Sequence, residues 1–227
     1  MRIVSAAPSN TEILFELGLG DKIVATTSLC DHPEEARRLP SIGGWSRDVD
    51  YERIRELEPD VVVLSDQLQQ SQSKRMEEMG IQTVKVEPES LEEIFESIRA
   101  LGETFNKSSN AEKLVKQMKS GIESIDLEGK RIYCEEWTDP AMVSANWIPG
   151  LIEATGGNYF VRGGRSRKYN LDDLREFDPE YIFMNICGAG ENADTKKLME
   201  REGWQGISAV RNDNVYAIDD ALLNRPG

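Results

Sequence analysis

The chain opens on the stretch RIVSAAPSNTEILFELGLG, residues 2–20, which contains the unit from which the fold is predicted. Residues 2–5 form an apolar run that predicts a short buried strand, and a helical pattern follows almost at once. Ser9, with Glu12 three residues later, has the spacing of a capping box, so we expect Ser9 to be the N-cap of that helix. The glycine-rich segment 18–20 ends it.

The same alternation of apolar strands and amphipathic helices recurs along the chain, which is typical of α/β folds with a mostly parallel sheet. It is interrupted by two consecutive long helical patterns, at residues 90–105 and 109–125. Ser109 and Glu112 form a second capping box at the start of the later one. Further strands are predicted at 22–26, 60–64, 82–86, 131–135, 181–186 and 214–218, and further helices at 33–38, 51–57, 74–79, 147–155, 171–176 and 195–201.

This order predicts an α/β protein of two lobes, each with a mostly parallel central sheet flanked by helices, joined by one long backbone helix. We place the N-terminal lobe at residues 1–108, the connecting helix at 109–126 and the C-terminal lobe at 127–227. A length of 227 residues allows two lobes of about 100 residues each.

The composition excludes two classes of partner. The chain has 27 Lys and Arg against 41 Asp and Glu, a net charge of −14, whereas nucleic acids and anionic membranes attract positive surfaces. Its apolar runs fall short of the roughly 18 residues of a transmembrane helix. The start of the chain does not resemble a signal peptide. We therefore expect an extracytoplasmic protein if a leader was removed, and a cytoplasmic one if Met1 is the native start.

The sequence has no P-loop, no GxSxG and no GxGxxG after a strand, which indicates a binding protein without a covalently bound cofactor rather than an enzyme. Three cysteines far apart favour free thiols over a disulfide framework. Because each follows or ends a predicted strand, they are candidate ligands for a soft or borderline metal ion together with the single histidine. These candidates are Cys30, His32, Cys134 and Cys187.

An ordered set of motifs extends over nearly the whole chain: IVSAAPSNTEILFELG at 3–18, CDHP at 30–33, PSIGGW at 40–45, EPDVVV at 58–63, WIPGLIEATGG at 147–157, VYAID at 215–219 and NRPG at 224–227. In these motifs the chain resembles the substrate-binding proteins of ABC importers for vitamin B12 and ferric siderophores. These belong to the helical-backbone, class III periplasmic-binding-protein type, and the chain is closest to members without an evident signal peptide. The resemblance implies two α/β lobes, a rigid connecting helix and a ligand cleft between the lobes. It also implies a final helix after residue 227, without which apolar surface on the second lobe is uncovered.

Candidate ligand-binding residues lie in loops that follow strands, because ligands of parallel sheets bind beyond the carboxyl ends of the strands. Trp45 follows two glycines and offers a flat face to a macrocycle. His32 is a candidate axial donor to a corrinoid cobalt, and the basic segment 162–168 suits the amides or phosphate of a corrinoid or the carboxylates of a siderophore. Trp137 and Trp147 bracket a predicted long loop. The full set is Ala7, Pro8, Ser9, Cys30, His32, Trp45, Glu136, Trp137, Trp147, Arg165, Arg167, Cys187 and Arg225.

The resemblance also implies a protein partner. In these importers one acidic residue of each lobe docks onto arginines of the permease, and Glu52 and Asp172 occupy the matching positions, with Asp172 in place of the usual Glu. We therefore expect a monomer that captures a corrinoid or a ferric-siderophore-type chelate for an ABC permease dimer. Two alternatives are an intracellular corrinoid carrier or sensor without a permease, and a direct metal-ion binding protein that uses the Cys and His ligands named above.

Overall fold

A computed structural model describes residues 1–65 and 69–226. The α/β prediction is confirmed, because strands of two sheets alternate with helices along the chain. The described chain divides into two compact units. The first consists of Met1–Pro88 and Phe95–Lys116, and the second of Glu89–Ile94 and Gln117–Pro226.

The first unit is built on a parallel sheet with the strand order β2-β1-β3-β4. Every residue of the central strands β1 and β3 is buried, as expected for a parallel sheet that is covered on both faces. The strands are β1 (Ile3–Ser5), β2 (Ile23–Thr26), β3 (Val61–Leu64) and β4 (Gln82–Lys85), and the helices are α1 (Pro8–Glu16), α2 (Tyr51–Glu56) and α3 (Gln70–Glu78), with 3-10 helices at Gly20–Lys22 and Glu34–Arg38.

Two long helices, α4 (Leu91–Thr104) and α5 (Ser108–Glu123), contribute residues to both units. Within the first unit they approach closely at Gly102, where an added Cβ would lie 2.5 Å from the Cβ of Ala111. The predicted connecting segment 109–126 overlaps α5. Ser109 is not its N-cap, since the helix already begins at Ser108.

The second unit contains a mixed sheet with the order β6-β5-β8-β9, and β7 pairs with β5. β5 is parallel to β7 and β8 and antiparallel to β6. The strands are β5 (Arg131–Thr138), β6 (Ala141–Val143), β7 (Asn158–Tyr159), β8 (Tyr181–Met184) and β9 (Val215–Ala217). The helices are α6 (Ile148–Ala154), α7 (Leu171–Phe177), α8 (Thr195–Met199), α9 (Ser208–Arg211) and α10 (Ala221–Asn224), with a 3-10 helix at Gly190–Asn192.

The predicted long loop at residues 138–146 is wrong. β5 continues to Thr138, the chain turns at Asp139-Pro140, and β6 returns beside β5 as a hairpin. The polar residues and proline of this turn resemble a loop in sequence, while the pairing that makes the hairpin is visible only in three dimensions. β7, α9 and α10, of two to four residues each, lie outside the predicted elements.

The predicted cap of α1 is also wrong. Ala7, in an extended conformation, precedes the helix, and Pro8 is its first residue, so Ser9 lies inside it. Proline suits the first helical position because its fixed φ is already helical and its missing N–H has no partner to lose there. The predicted helix at 33–38 is instead a 3-10 helix at Glu34–Arg38.

Each unit contains a core cluster of buried side chains. The first unit contains a core cluster of aliphatic side chains with Met76. The core of the second unit surrounds the buried ring of Tyr133, which makes edge contacts with Phe160, Tyr169 and Trp204 at centroid distances of 5.4–6.0 Å. Such edge-to-face arrangements are favourable beyond the area that they bury. Among residues 1–65 and 69–226, none of the helices combines the length and the hydrophobicity that crossing a bilayer requires.

A buried ion pair lies beside these rings. The guanidinium of Arg201, which follows α8, donates two hydrogen bonds of 2.6 and 2.7 Å to the carboxylate of Glu135 on β5. The Tyr133 hydroxyl donates a third, of 3.0 Å. Burial raises the pKa of Glu135, and the hydrogen bonds from Arg201 oppose that rise. Arg201 also lies 5.2 Å from the centre of the Trp204 ring.

We predict that Arg201→Met lowers the free energy of unfolding by about 3–5 kcal/mol, because the substitution leaves a buried carboxylate without its cation. Urea denaturation followed by circular dichroism measures the change. The double variant Glu135→Leu/Arg201→Met should recover much of the loss, since it removes both charges.

The matched control is Arg75→Met. Arg75 pairs with Glu78 on α3, where both side chains are about half exposed, so we expect a change of no more than about 1 kcal/mol. Equal losses in the two single variants would show that the buried pair contributes no more than an exposed one.

Candidate functional site

The carboxyl ends of β1 and β2 bring several predicted residues into one part of the first unit. Ala7 and Ser9 are almost fully buried, whereas Pro8 is partly exposed. The Ala7 carbonyl accepts hydrogen bonds from the backbone N–H of Thr11, at 3.1 Å, and from its hydroxyl, at 3.0 Å. The N–H groups of the first turn of a helix have no partner within the helix, so this turn can bind a polar or anionic group.

Cys30 belongs to the same part of the structure. It is 4% exposed, and its Sγ atom lies 3.1 Å from the Thr11 hydroxyl and 3.2 Å from the Thr27 hydroxyl. His32 is exposed. Cys30 therefore forms part of a polar cluster beneath the start of α1 and does not present its thiol to solvent.

The structure adds no support for the four candidate metal ligands, Cys30, His32, Cys134 and Cys187. All three cysteines are free, and no group of three or more His, Cys, Asp or Glu side chains within residues 1–65 and 69–226 is arranged to hold a metal ion. Burial raises the pKa of the Cys134 thiol to about 12, so this thiol stays protonated and is a poor ligand. Cys187 is exposed, and partial burial together with Asp220 and Glu136 raises its pKa.

Trp45 lies in a loop between β2 and α2 whose ends are joined by a bridge between Gly43 and Val49. Gly43 has a φ of +90°, and an added Cβ would lie 2.0 Å from the Asp48 carbonyl, so glycine is required for this turn. The Trp45 side chain is half-buried. The ring is thus held on a structured loop, which fits the predicted platform.

Two glutamines that the sequence analysis missed hold this loop. The side chain of Gln69 donates hydrogen bonds to the carbonyls of Ala6 and Trp45, and that of Gln72 donates to the carbonyl of Ser46. Both glutamines are buried. Their signal in the sequence is weak, because they are two glutamines in the polar loop and helix segment that follows the apolar strand β3.

In the second unit, Trp137 lies near the end of β5, two residues before the turn at Asp139-Pro140. It is 46% exposed, and its indole N–H donates to the Asp139 carbonyl at 2.9 Å. The preceding residue, Glu136, accepts a short hydrogen bond from the Ser166 hydroxyl, and burial raises the pKa of its carboxyl group. The hairpin therefore presents a large aromatic face on a fixed support.

Trp147 has a different role. Its indole N–H donates to the Leu223 carbonyl at 2.8 Å, and its partly buried ring packs against the core of the second unit. Asn224 is held in turn by Asn185, a fully buried residue that sequence reasoning missed. Trp147 thus helps to anchor α10, and the structure does not favour it as a ligand platform.

The basic segment 162–168 is an ordered loop. The Arg167 guanidinium donates to three carbonyls of the same segment, those of Gly163, Arg165 and Arg162, at 2.9–3.2 Å. Arg165 is exposed and lies 4.0 Å from Glu89. Arg225, near the end of the described chain, is partly buried. Arg167 therefore organises the loop, and Arg165 is the more accessible of its two predicted ligand-binding arginines.

The two predicted docking residues occupy equivalent local positions. Glu52 is the second residue of α2 and Asp172 the second residue of α7. The carboxylates are 76% and 81% exposed, and each pairs with an arginine three residues later, Arg55 or Arg175. Both can therefore be reached by the cations of a partner.

Comparison with known proteins places these features in a family. Residues 3–222 match the family described as periplasmic binding protein. The ABC transporter substrate-binding lipoprotein YvrC of Bacillus subtilis, itself uncharacterized, is 28% identical over 239 residues, which cover 100% of this chain and 75% of the relative. A vitamin B12-binding protein of Vibrio campbellii is 26% identical over 235 residues, covering 99% of this chain and 83% of the relative.

A solved structure agrees in fold. The crystal structure of a possible iron-binding, periplasmic solute-binding protein from Staphylococcus epidermidis superimposes with a TM-score of 0.84 at 21% identity, over 100% of this chain and 92% of that chain. The relatives are binding proteins and not enzymes. Since the family match extends over almost the whole sequence, the chain belongs to the periplasmic binding protein family.

Proposed function

We propose that the chain is the receptor of an ABC importer and that its ligand is a corrinoid or a related flat metal chelate. Family membership supports the receptor role, because substrate-binding proteins of ABC importers bind small molecules and work with a permease. The similarity to a vitamin B12-binding protein supports the ligand class.

The observation that carries the ligand class is the placement of two tryptophans, one on the loop that leads from β2 to α2 and one at the carboxyl end of β5. Trp45 is half-buried on a loop held by side-chain hydrogen bonds, and Trp137 is 46% exposed on a hairpin. An indole combines a broad apolar face with little conformational entropy, which suits the flat apolar surface of a macrocycle. Each tryptophan is a separate contact that its own substitution tests.

A ferric siderophore is the second candidate, supported by the basic segment 162–168. Two contacts weigh against a polyanionic ligand at this segment. Arg167 directs its donors into its own loop, and Arg165 lies close to Glu89. In a chain with a net charge of −14, a neutral or weakly charged ligand encounters less repulsion.

We predict that cyanocobalamin quenches the tryptophan fluorescence of the protein with a dissociation constant well below 100 μM, because functional receptors bind in that range. Trp45→Ala and Trp137→Ala should each weaken binding by about 30- to 150-fold, since loss of an aromatic contact and its buried area costs roughly 2–3 kcal/mol. Titration calorimetry measures the dissociation constants of the unaltered protein and of each variant.

Tyr216→Ala is the matched control. Tyr216 is 44% exposed, and its ring stacks on that of Phe183 in the neighbouring strand, so its removal should leave the affinity unchanged. The same titration with hemin and with a ferric hydroxamate separates the candidates. Binding of the hydroxamate without binding of cyanocobalamin would overturn the corrinoid proposal in favour of a siderophore.

The proposed permease contact uses Glu52 and Asp172. Both are exposed carboxylates on short helices with equivalent surroundings, which supports their pairing with arginines of a two-fold permease. A test of this contact separates an importer receptor from an intracellular carrier, since a carrier has no use for it.

We predict that Glu52→Lys and Asp172→Lys each reduce stimulation of a vitamin B12-type ABC importer in proteoliposomes by at least about tenfold, because like charges then face the permease arginines. ATP hydrolysis is the measurement. Glu56→Lys, an exposed glutamate on the same helix as Glu52, should have little effect. Equal effects of all three substitutions would indicate a general response to charge, and no stimulation by the unaltered protein would favour the carrier.

A further inference from the structure

The side chain of Gln69 connects three separate chain segments of the first unit. Its Nε2 atom donates to the Ala6 carbonyl after β1, at 2.8 Å, and to the Trp45 carbonyl, at 2.7 Å. Its Oε1 atom accepts from the Ser65 N–H after β3, at 2.6 Å. Gln69 is 1% exposed, and its hydrogen bond to Ala6 is fully buried, whereas those with Trp45 and Ser65 are partly buried.

The loop depends on these bonds because its own backbone contacts lie at its base. Gly43 and Val49 form the bridge, and the Gly44 N–H donates to Asp48 at 3.3 Å. Farther along the loop, the carbonyls of Trp45 and Ser46 instead accept hydrogen bonds from glutamine side chains. A buried carbonyl that loses its donor costs about 1–3 kcal/mol, so the loop would move to find another partner.

We propose that Gln69 is a positioning residue that fixes the Trp45 loop for ligand binding. The expected effect on ligand affinity rests on the proposed function, whereas the expected effect on the order of the loop does not. An amide suits the position because one side chain donates twice and accepts once. Methionine has a similar length and can make none of these hydrogen bonds, and glutamate can only accept from Ser65 when ionised.

The experiment compares Gln69→Met with Gln70→Met in the full chain. Gln70 is the next residue, the first of α3, and is exposed, so the control makes the same chemical change one position away at a side chain that is open to solvent. Hydrogen exchange measured by mass spectrometry on peptides covering residues 43–49 reports the order of the loop, and a peptide covering β3 reports the sheet. Cyanocobalamin titration gives the affinity.

We expect Gln69→Met to raise the exchange rate at residues 43–49 at least about tenfold, with β3 unchanged, and to weaken cyanocobalamin binding about tenfold or more, because a disordered loop must be ordered on binding. Gln70→Met should match the unaltered protein in both measurements. Gln72→Met removes the bond to Ser46 and the one that Gln72 accepts from the adjacent Ser71 hydroxyl. It should change both measurements in the same direction by less, and it replaces Gln69→Met as the test if that variant does not fold.

Unchanged exchange at residues 43–49 would falsify the proposal, and so would faster exchange with unchanged affinity. If Gln69 only stabilised the fold, exchange would be faster in β3 as well as in the loop, and that result would also contradict the proposal. If the unaltered protein binds none of cyanocobalamin, hemin and the ferric hydroxamate, the proposed function fails, and the exchange of the loop alone decides whether Gln69 positions it.

Discussion

Where the parallel strands end, a buried side-chain amide links the segments that follow the strands in each unit. After β3, Gln69 bonds backbone groups, whereas directly after β8 the amide of Asn185 bonds the side chains of Ser144 and Asn224. Asn185 is fully buried and joins Ser144, after β6, to Asn224 at the end of α10. Unpaired buried polar groups are costly, so each amide stabilises the loops around it and determines where they lie.

The two units also share a local solution for leading a helix into a strand. α2 is followed by Glu58 with a φ of +43°, and α7 by Asp178 with a φ of +46°, and a proline comes next in both cases. A residue before proline is excluded from the helical region, so the helix must end there, and the chain turns into β3 or β8. Because helix and strand are joined in the same way, Glu52 and Asp172 take the same position relative to their strands.

The sequence predicts those parts of this structure that depend on local patterns. The apolar run at 60–64 contains β3, and the helical spacing over 90–105 contains α4, because burial alone determines both. The role of Gln69 depends on partners 24 and 63 residues away, and that of Trp147 on a carbonyl 76 residues away. No periodicity reports such contacts. The same holds for the β5–β6 hairpin, whose turn is indistinguishable from a loop until its strands pair.

The end of β5 that leads to Trp137 is held by side chains from two other segments. Glu135 binds Arg201, which follows α8, and Glu136 accepts a hydrogen bond from Ser166 in the basic segment 162–168. The pairing of β5 with β6 shifts its register between Glu135 and Trp137, so both carboxylates lie where the strand departs from regular pairing. Because two adjacent residues are bonded to segments outside the hairpin, the support of Trp137 depends on a buried carboxylate and a part-buried hydroxyl as well as on the hairpin turn.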